Sequence, residues 1–219
     1  MDNFDQLRIG ANYLNKNENP IIFMDSSGKF LKKEKGTSTL LNTAVVIPPP
    51  AAGYAPFPIF EMISEKNKTT DFQTFLEYGW SYLSISINNQ KVNNPQVAVS
   101  DFSFANIHAI LAVFNKVNIK DYLQTLYRCA LTSKETPYTT TLTICENHTL
   151  PNLLSFARKS HTDKTVADTL VAGVLKVFEA ESFQSALQVF EKLARVHCLK
   201  SISKEARESI KVIVFENDF

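Results

Sequence analysis

Cysteine is scarce in this chain. Three cysteines in 219 residues, an odd number and widely spaced, include no C-x-x-C pair. That excludes a disulfide framework and a dithiol redox motif, and sets the expectation of a reducing compartment. Long apolar runs are missing too: no stretch approaches the roughly eighteen residues that a membrane span needs, so no membrane partner is expected. The opening MDNFDQLRIG has no basic segment leading into an apolar one, and a secretory signal is not expected. Charge of either sign is not in excess: 23 Lys and Arg face 22 Asp and Glu, for a net charge of +1. No global field therefore draws the protein to nucleic acid, although a local basic face is still allowed. There is no internal repeat, and the only biased tract is Pro48-Pro49-Pro50.

What is present is enough apolar material for a sizeable core. Apolar residues make up 44% and aromatics 11%, with sixteen Phe, which excludes a disordered chain. Residues 1–19 are polar and Asn-rich and read as an N-terminal arm or linker. PIIFMDSSGKFLKK (20–33) reads as a strand, a turn at Asp25-Ser26-Ser27-Gly28 and a second short strand. TSTLLNTAVVIP (37–48) and FPIFEMIS (57–64) are further strands. In the helix that follows, DFQTFLEYGWSYLSISI, Asp71 is placed as cap and Phe72, Phe75, Leu76, Trp80 and Leu83 share one face, the spacing of core packing.

QVAVSDFSFANIHAILAVF (96–114) changes period along its length. Val97, Ala98 and Val99 form a short buried strand, and Phe104, Ile107, His108, Leu111 and Phe114 recur at helical spacing. IKDYLQTLYRCAL (119–131) is a helix with Cys129 as a small core residue, and YTTTLTIC (138–145) is a Thr-rich strand. From 149 onward the pattern is helical, with Asp163 and Ser182 as N-caps. The expected organisation is therefore an arm (1–19), an α/β core (20–148) and a helical subdomain (149–219).

Three expected strand ends carry reactive side chains: Asp25, Asp101, and Cys145 with His148. Each has a plain structural reading. Asp25 suits a hairpin turn, Asp101 suits the N-cap of the next helix, and Cys145 and His148 suit packing and hydrogen bonding. A zinc site at Cys145 and His148 would need two more ligands, and the spacing of His161, His197 and Cys198 does not argue for them. If the strand bearing Asp101 returns beside the one bearing Asp25, two carboxylates meet at one sheet edge. They repel unless a cation neutralises them, and oxygen donors imply a hard divalent ion, Mg²⁺ or Mn²⁺. His108 reads as part of a helix face.

The order of elements resembles a ribonuclease-H-like fold, whose first Asp lies on the first strand and whose second closes the fourth. CENH (145–148), followed by TLPNLLSFAR, resembles the C-x-x-H element of DDE-type DNA transposases of the Mutator-like, hAT and Kolobok groups. IIFMDSSGKF is similar to their first-Asp strand and QVAVSDFSFANIHAILAVF to their second. The resemblance spans about residues 20–200. It implies a ribonuclease-H-like mixed sheet with flanking helices, then an all-helical insertion. Asp25 and Asp101 would be catalytic metal-binding carboxylates, with Cys145 and His148 organising the site. DNA would be the partner, the nucleus the location, and a homo-oligomer is compatible. The family's third acid should sit on a helix after the insertion, yet Glu205, Glu208 and Glu216 lie in no recognisable context. The expectation is a transposase catalytic-core fragment performing metal-dependent strand cleavage and transfer. The alternative is an inactive domesticated or truncated remnant acting as a binding module.

Overall fold

The computed structural model describes residues 3–28, 40–48, 55–65, 68–101, 103–160 and 164–198. The second short strand expected at 30–33, Asp163, His161, the last helix and Glu205, Glu208 and Glu216 lie outside these residues, as do the side chains of His197 and Cys198. The chain divides into two compact units, residues 1–145 and 146–219.

The first unit is α/β. Its elements are α1 (Asn3–Lys16), β1 (Ile21–Gly28), β2 (Leu40–Val46), β3 (Phe57–Ser64), α2 (Thr69–Ser86), β4 (Val97–Ser100), α3 (Phe104–Ile110), α4 (Ile119–Thr132) and β5 (Thr141–Ile144). The strands form one mixed sheet in the order β3-β2-β1-β4-β5. β2 runs antiparallel to both β1 and β3, whereas β1, β4 and β5 are mutually parallel. A parallel pair cannot be closed by a tight turn, and β2, β3 and α2 together make the crossover from β1 to β4.

Alternation along the strands fixes the buried face. Ile22 and Met24 of β1, Ala44 and Val46 of β2, Phe57 and Ile59 of β3 and Ala98 of β4 are buried in one cluster with Phe72, Phe75, Leu76 and Leu83 of α2 and Ala109 and Ile110 of α3. The expectation for residues 1–19 is corrected here. They are no loose arm: α1 buries Ala11, Tyr13 and Leu14 in the same core, and the Tyr13 hydroxyl accepts the Ile21 N–H at 3.0 Å where β1 begins. Trp80 packs half-buried against the core, on the face its spacing implies, with the Phe60 and Phe114 rings at centroid distances of 5.8 and 4.7 Å.

α3 continues into a π-helical turn, Leu111–Asn115, which ends with Lys116 in the left-handed region at φ 58°. Asn118 caps α4, its Oδ1 accepting the Asp121 N–H at 3.0 Å. Cys129 is half-buried with its thiol directed at the Glu135 carbonyl, so it lies outside the core positions expected for it. The second unit contains α5 (Glu146–Ser160), α6 (Lys164–Phe178) and α7 (Phe183–Cys198). Ser182 caps α7 through its Oγ, which accepts the Ser185 N–H at 3.1 Å.

Candidate metal site at the strand ends

Strand pairing sets the geometry. Met24 of β1 pairs with Ser100 of β4, and Ser100 pairs with Ile144 of β5. Asp25, Asp101 and Cys145 each follow one residue later. They form a row across three adjacent parallel strands. Neighbouring strands run about 4.8 Å apart, so the backbones of Asp25 and Asp101 lie next to one another. The row lies at the carboxyl ends of β4 and β5, where open α/β sheets place ligands.

Local structure overturns the plain readings of both carboxylates. Asp25 is no turn residue. It pairs with Thr43 inside a strand that continues to Gly28, because β2 supplies a ladder along the whole of DSSG. It is exposed, on the face away from Ile22 and Met24. Asp101 is not the helix cap either. Ser103 holds the N-cap position of α3, and half-buried Asp101 is tied instead by side chains. Its Oδ1 accepts the Asn106 amide at 2.9 Å and the Ser100 hydroxyl at 3.3 Å. Asp25 Oδ1 accepts the N–H of Ser26 at 2.8 Å. The same Asn106 amide nitrogen reaches the Ser26 hydroxyl at 3.3 Å. One amide thus ties the end of β4 to the residue beside Asp25.

Asn106 is fully buried, and its Oδ1 has no hydrogen-bond partner among the described residues. The orientation is forced, since a carboxylate only accepts and the amide must turn its NH₂ toward Asp101. An orphaned buried carbonyl costs about 1–3 kcal/mol. The sequence offered a signal for this residue. Asn106 is a polar side chain on the inward face of α3, next to Ile107 and one turn before Ile110.

Carboxylates are donors of the kind a hard cation takes, but Asp25 lies exposed on the sheet face away from Ile22 and Met24, whereas Asp101 is tied to buried Asn106. Among the described residues, however, no group of three or more His, Cys, Asp or Glu side chains is gathered. Cys145 is a half-buried thiol whose N–H donates to the Ser100 carbonyl at 2.7 Å. His148 stands exposed in the first turn of α5, in the second unit.

A broad concavity lies elsewhere. A cavity of about 740 Å³ is lined by Thr69, Gln73, His108, Lys116 and Asn118 among others. It is broad and open, with neither Asp25 nor Asp101 in its wall. His108 borders it from a helix face, as its spacing implies. No helix among the described residues is long and apolar enough to cross a membrane.

Compared with known proteins, the chain matches no protein-family model and no curated protein sequence.

Proposed function

We propose that residues 20–148 form a ribonuclease-H-like catalytic core of a DNA transposase, which cleaves and transfers DNA strands with Mg²⁺ or Mn²⁺ held by Asp25 and Asp101. One observation supports the reading: β1 and β4 are parallel neighbours, in a register that brings the backbones of Asp25 and Asp101 next to one another. The resemblance assigns them catalytic roles, and the adjacency of β1 and β4 supports that assignment. A bound divalent ion would activate a water or a 3′-hydroxyl and offset charge at phosphorus. The chain's own contribution is to bring the two acidic residues to neighbouring strands and to tie the Asp101 side chain through Asn106. On this reading the protein works in the nucleus on transposon ends, and self-association is compatible with it.

The second reading, a binding remnant of the same fold, is favoured by the pair of carboxylates having no third acidic partner among the described residues. Nicking of supercoiled plasmid DNA by the full chain in Mn²⁺ separates the two. The transposase reading predicts nicking that Asp25→Asn and Asp101→Asn each abolish. Unchanged nicking in either variant rejects the catalytic assignment. A chain that binds Mn²⁺ and DNA without nicking is the remnant.

A further inference from the structure

The cavity of about 740 Å³ in the first unit plays no part in the reading above, and neither Asp25 nor Asp101 lines it. We infer that it binds a phosphate ester, whose phosphoryl group is taken by Lys116 and His108 and whose remainder lies over Ala112 and Val117.

Three elements converge there. α2 brings Thr69 and Gln73, α3 and its π-helical turn bring His108, Ala112 and Lys116, and the start of α4 brings Asp121. The side chains of Thr69, Gln73, His108 and Lys116 make no hydrogen bond or ion pair among the described residues. All four can donate, through hydroxyl, amide, imidazole and ammonium. The one carboxylate in the wall is engaged, since Asp121 Oδ2 accepts the Asn118 amide at 2.7 Å. What the cavity offers is therefore a set of free donors on two elements, with a basic group at two of the four positions. An anion with several oxygens, able to accept from more than one direction, answers that set. The positive end of α2 acts in the same sense, because Thr69 opens the helix and Lys68 at its N-cap makes no side-chain bond.

Size and backbone add to this. The volume falls in the range of small-molecule sites and leaves room for more than a bare phosphate, while Ala112 and Val117 give that remainder an apolar floor. Lys116 sits in the left-handed region at φ 58°, where a helix end favours glycine or asparagine. A lysine there does nothing for the turn; what it adds is an ammonium at the cavity.

Lys116→Gly exploits that difference, because glycine suits the backbone and removes only the charge. The full chain, ¹⁵N-labelled, is titrated with ribose 5-phosphate and, separately, with a short DNA duplex, alongside Lys116→Gly, His108→Gln and Lys134→Ala. Lys134 is exposed and outside the cavity wall, so it controls for net charge. The expected result is a saturable shift of the Gln73, Lys116 and Val117 amides. Affinity should fall roughly 10-fold in Lys116→Gly and in His108→Gln, as for a lost bond to a charged group, with Lys116→Gly melting close to wild type and Lys134→Ala binding normally. Shifts with ribose 5-phosphate alone assign the site to a small phosphate ester. Shifts of the same amides with DNA assign it to a backbone phosphate. Wild-type affinity in folded Lys116→Gly, an equal loss in Lys134→Ala, or no saturable shift with either probe overturns the inference. Asp25→Asn and Asp101→Asn should leave this binding intact, so its failure and that of the metal reading are told apart.

Discussion

Tyr122 shows how one side chain closes an edge. β5 is the last strand of the sheet, and its outward Leu142 N–H donates to the buried Tyr122 hydroxyl at 2.9 Å. Burial raises the Tyr122 pKa; the Leu142 bond pulls it down, and neighbouring Tyr138 adds to the rise. Unfolded Tyr122 loses its proton near pH 10, before the folded form does. Above that pH the unfolded state binds fewer protons, so stability is full below about pH 10 and falls as pH rises through the raised folded value. Tyr122→Phe should cost about 1 kcal/mol at neutral pH through the lost hydrogen bond. It should also flatten the decline above pH 10, which urea denaturation at a series of pH values measures. Gly79 makes a second residue-scale case. A Cβ there would meet the edge of the Phe60 ring, which Phe75 and Trp80 hold at centroid distances of 4.9 and 5.8 Å. Alanine is the better helix former by about 1 kcal/mol, but overpacking costs about 1–3 kcal/mol. Gly79→Ala should therefore lower the melting temperature rather than raise it. The roles of Asn106, Tyr122 and Gly79 were not legible in the sequence, because each depends on what a distant element brings against it. Only the polar intrusion of Asn106 on an apolar helix face left a trace.

At the scale of elements, periodicity worked where one face is buried. The strands at 40–46, 57–64, 97–100 and 141–144 and the helix at 69–86 all follow alternation or helical spacing visible in the chain. Two elements escaped. α1 is Asn-rich and reads as a polar arm, yet Ala11, Tyr13 and Leu14 pack into the core, with Leu7 and Ile9 against it. β1 passes through DSSG, which has turn chemistry, because β2 pairs with it to Gly28; tertiary pairing overrides local propensity. Leu14→Ala tests the place of α1. A loose arm would tolerate it, whereas a core helix should lose about 2–5 kcal/mol, read as the shift in the urea midpoint.

Across the whole molecule, the decisive feature is that residues remote in sequence come to neighbouring strands of one sheet. Asp25, Asp101 and Cys145 were singled out from the chain by residue type and by place at a strand end. Their alignment in one row follows from the order β3-β2-β1-β4-β5, which sequence patterning could not supply. An ion that binds only the folded state stabilises it by mass action. Millimolar Mn²⁺ should therefore raise the melting temperature of the wild-type chain, and much less that of Asp25→Asn or Asp101→Asn. The most direct measurement is Mn²⁺ titration of ¹⁵N-labelled protein followed by amide line broadening. If Asp25 and Asp101 share one ion, the Ser26 and Asn106 amides broaden together at substoichiometric Mn²⁺, ahead of Ile21 and Val97 at the far ends of the same strands. Broadening confined to one strand end, or absent from both, would contradict the shared site.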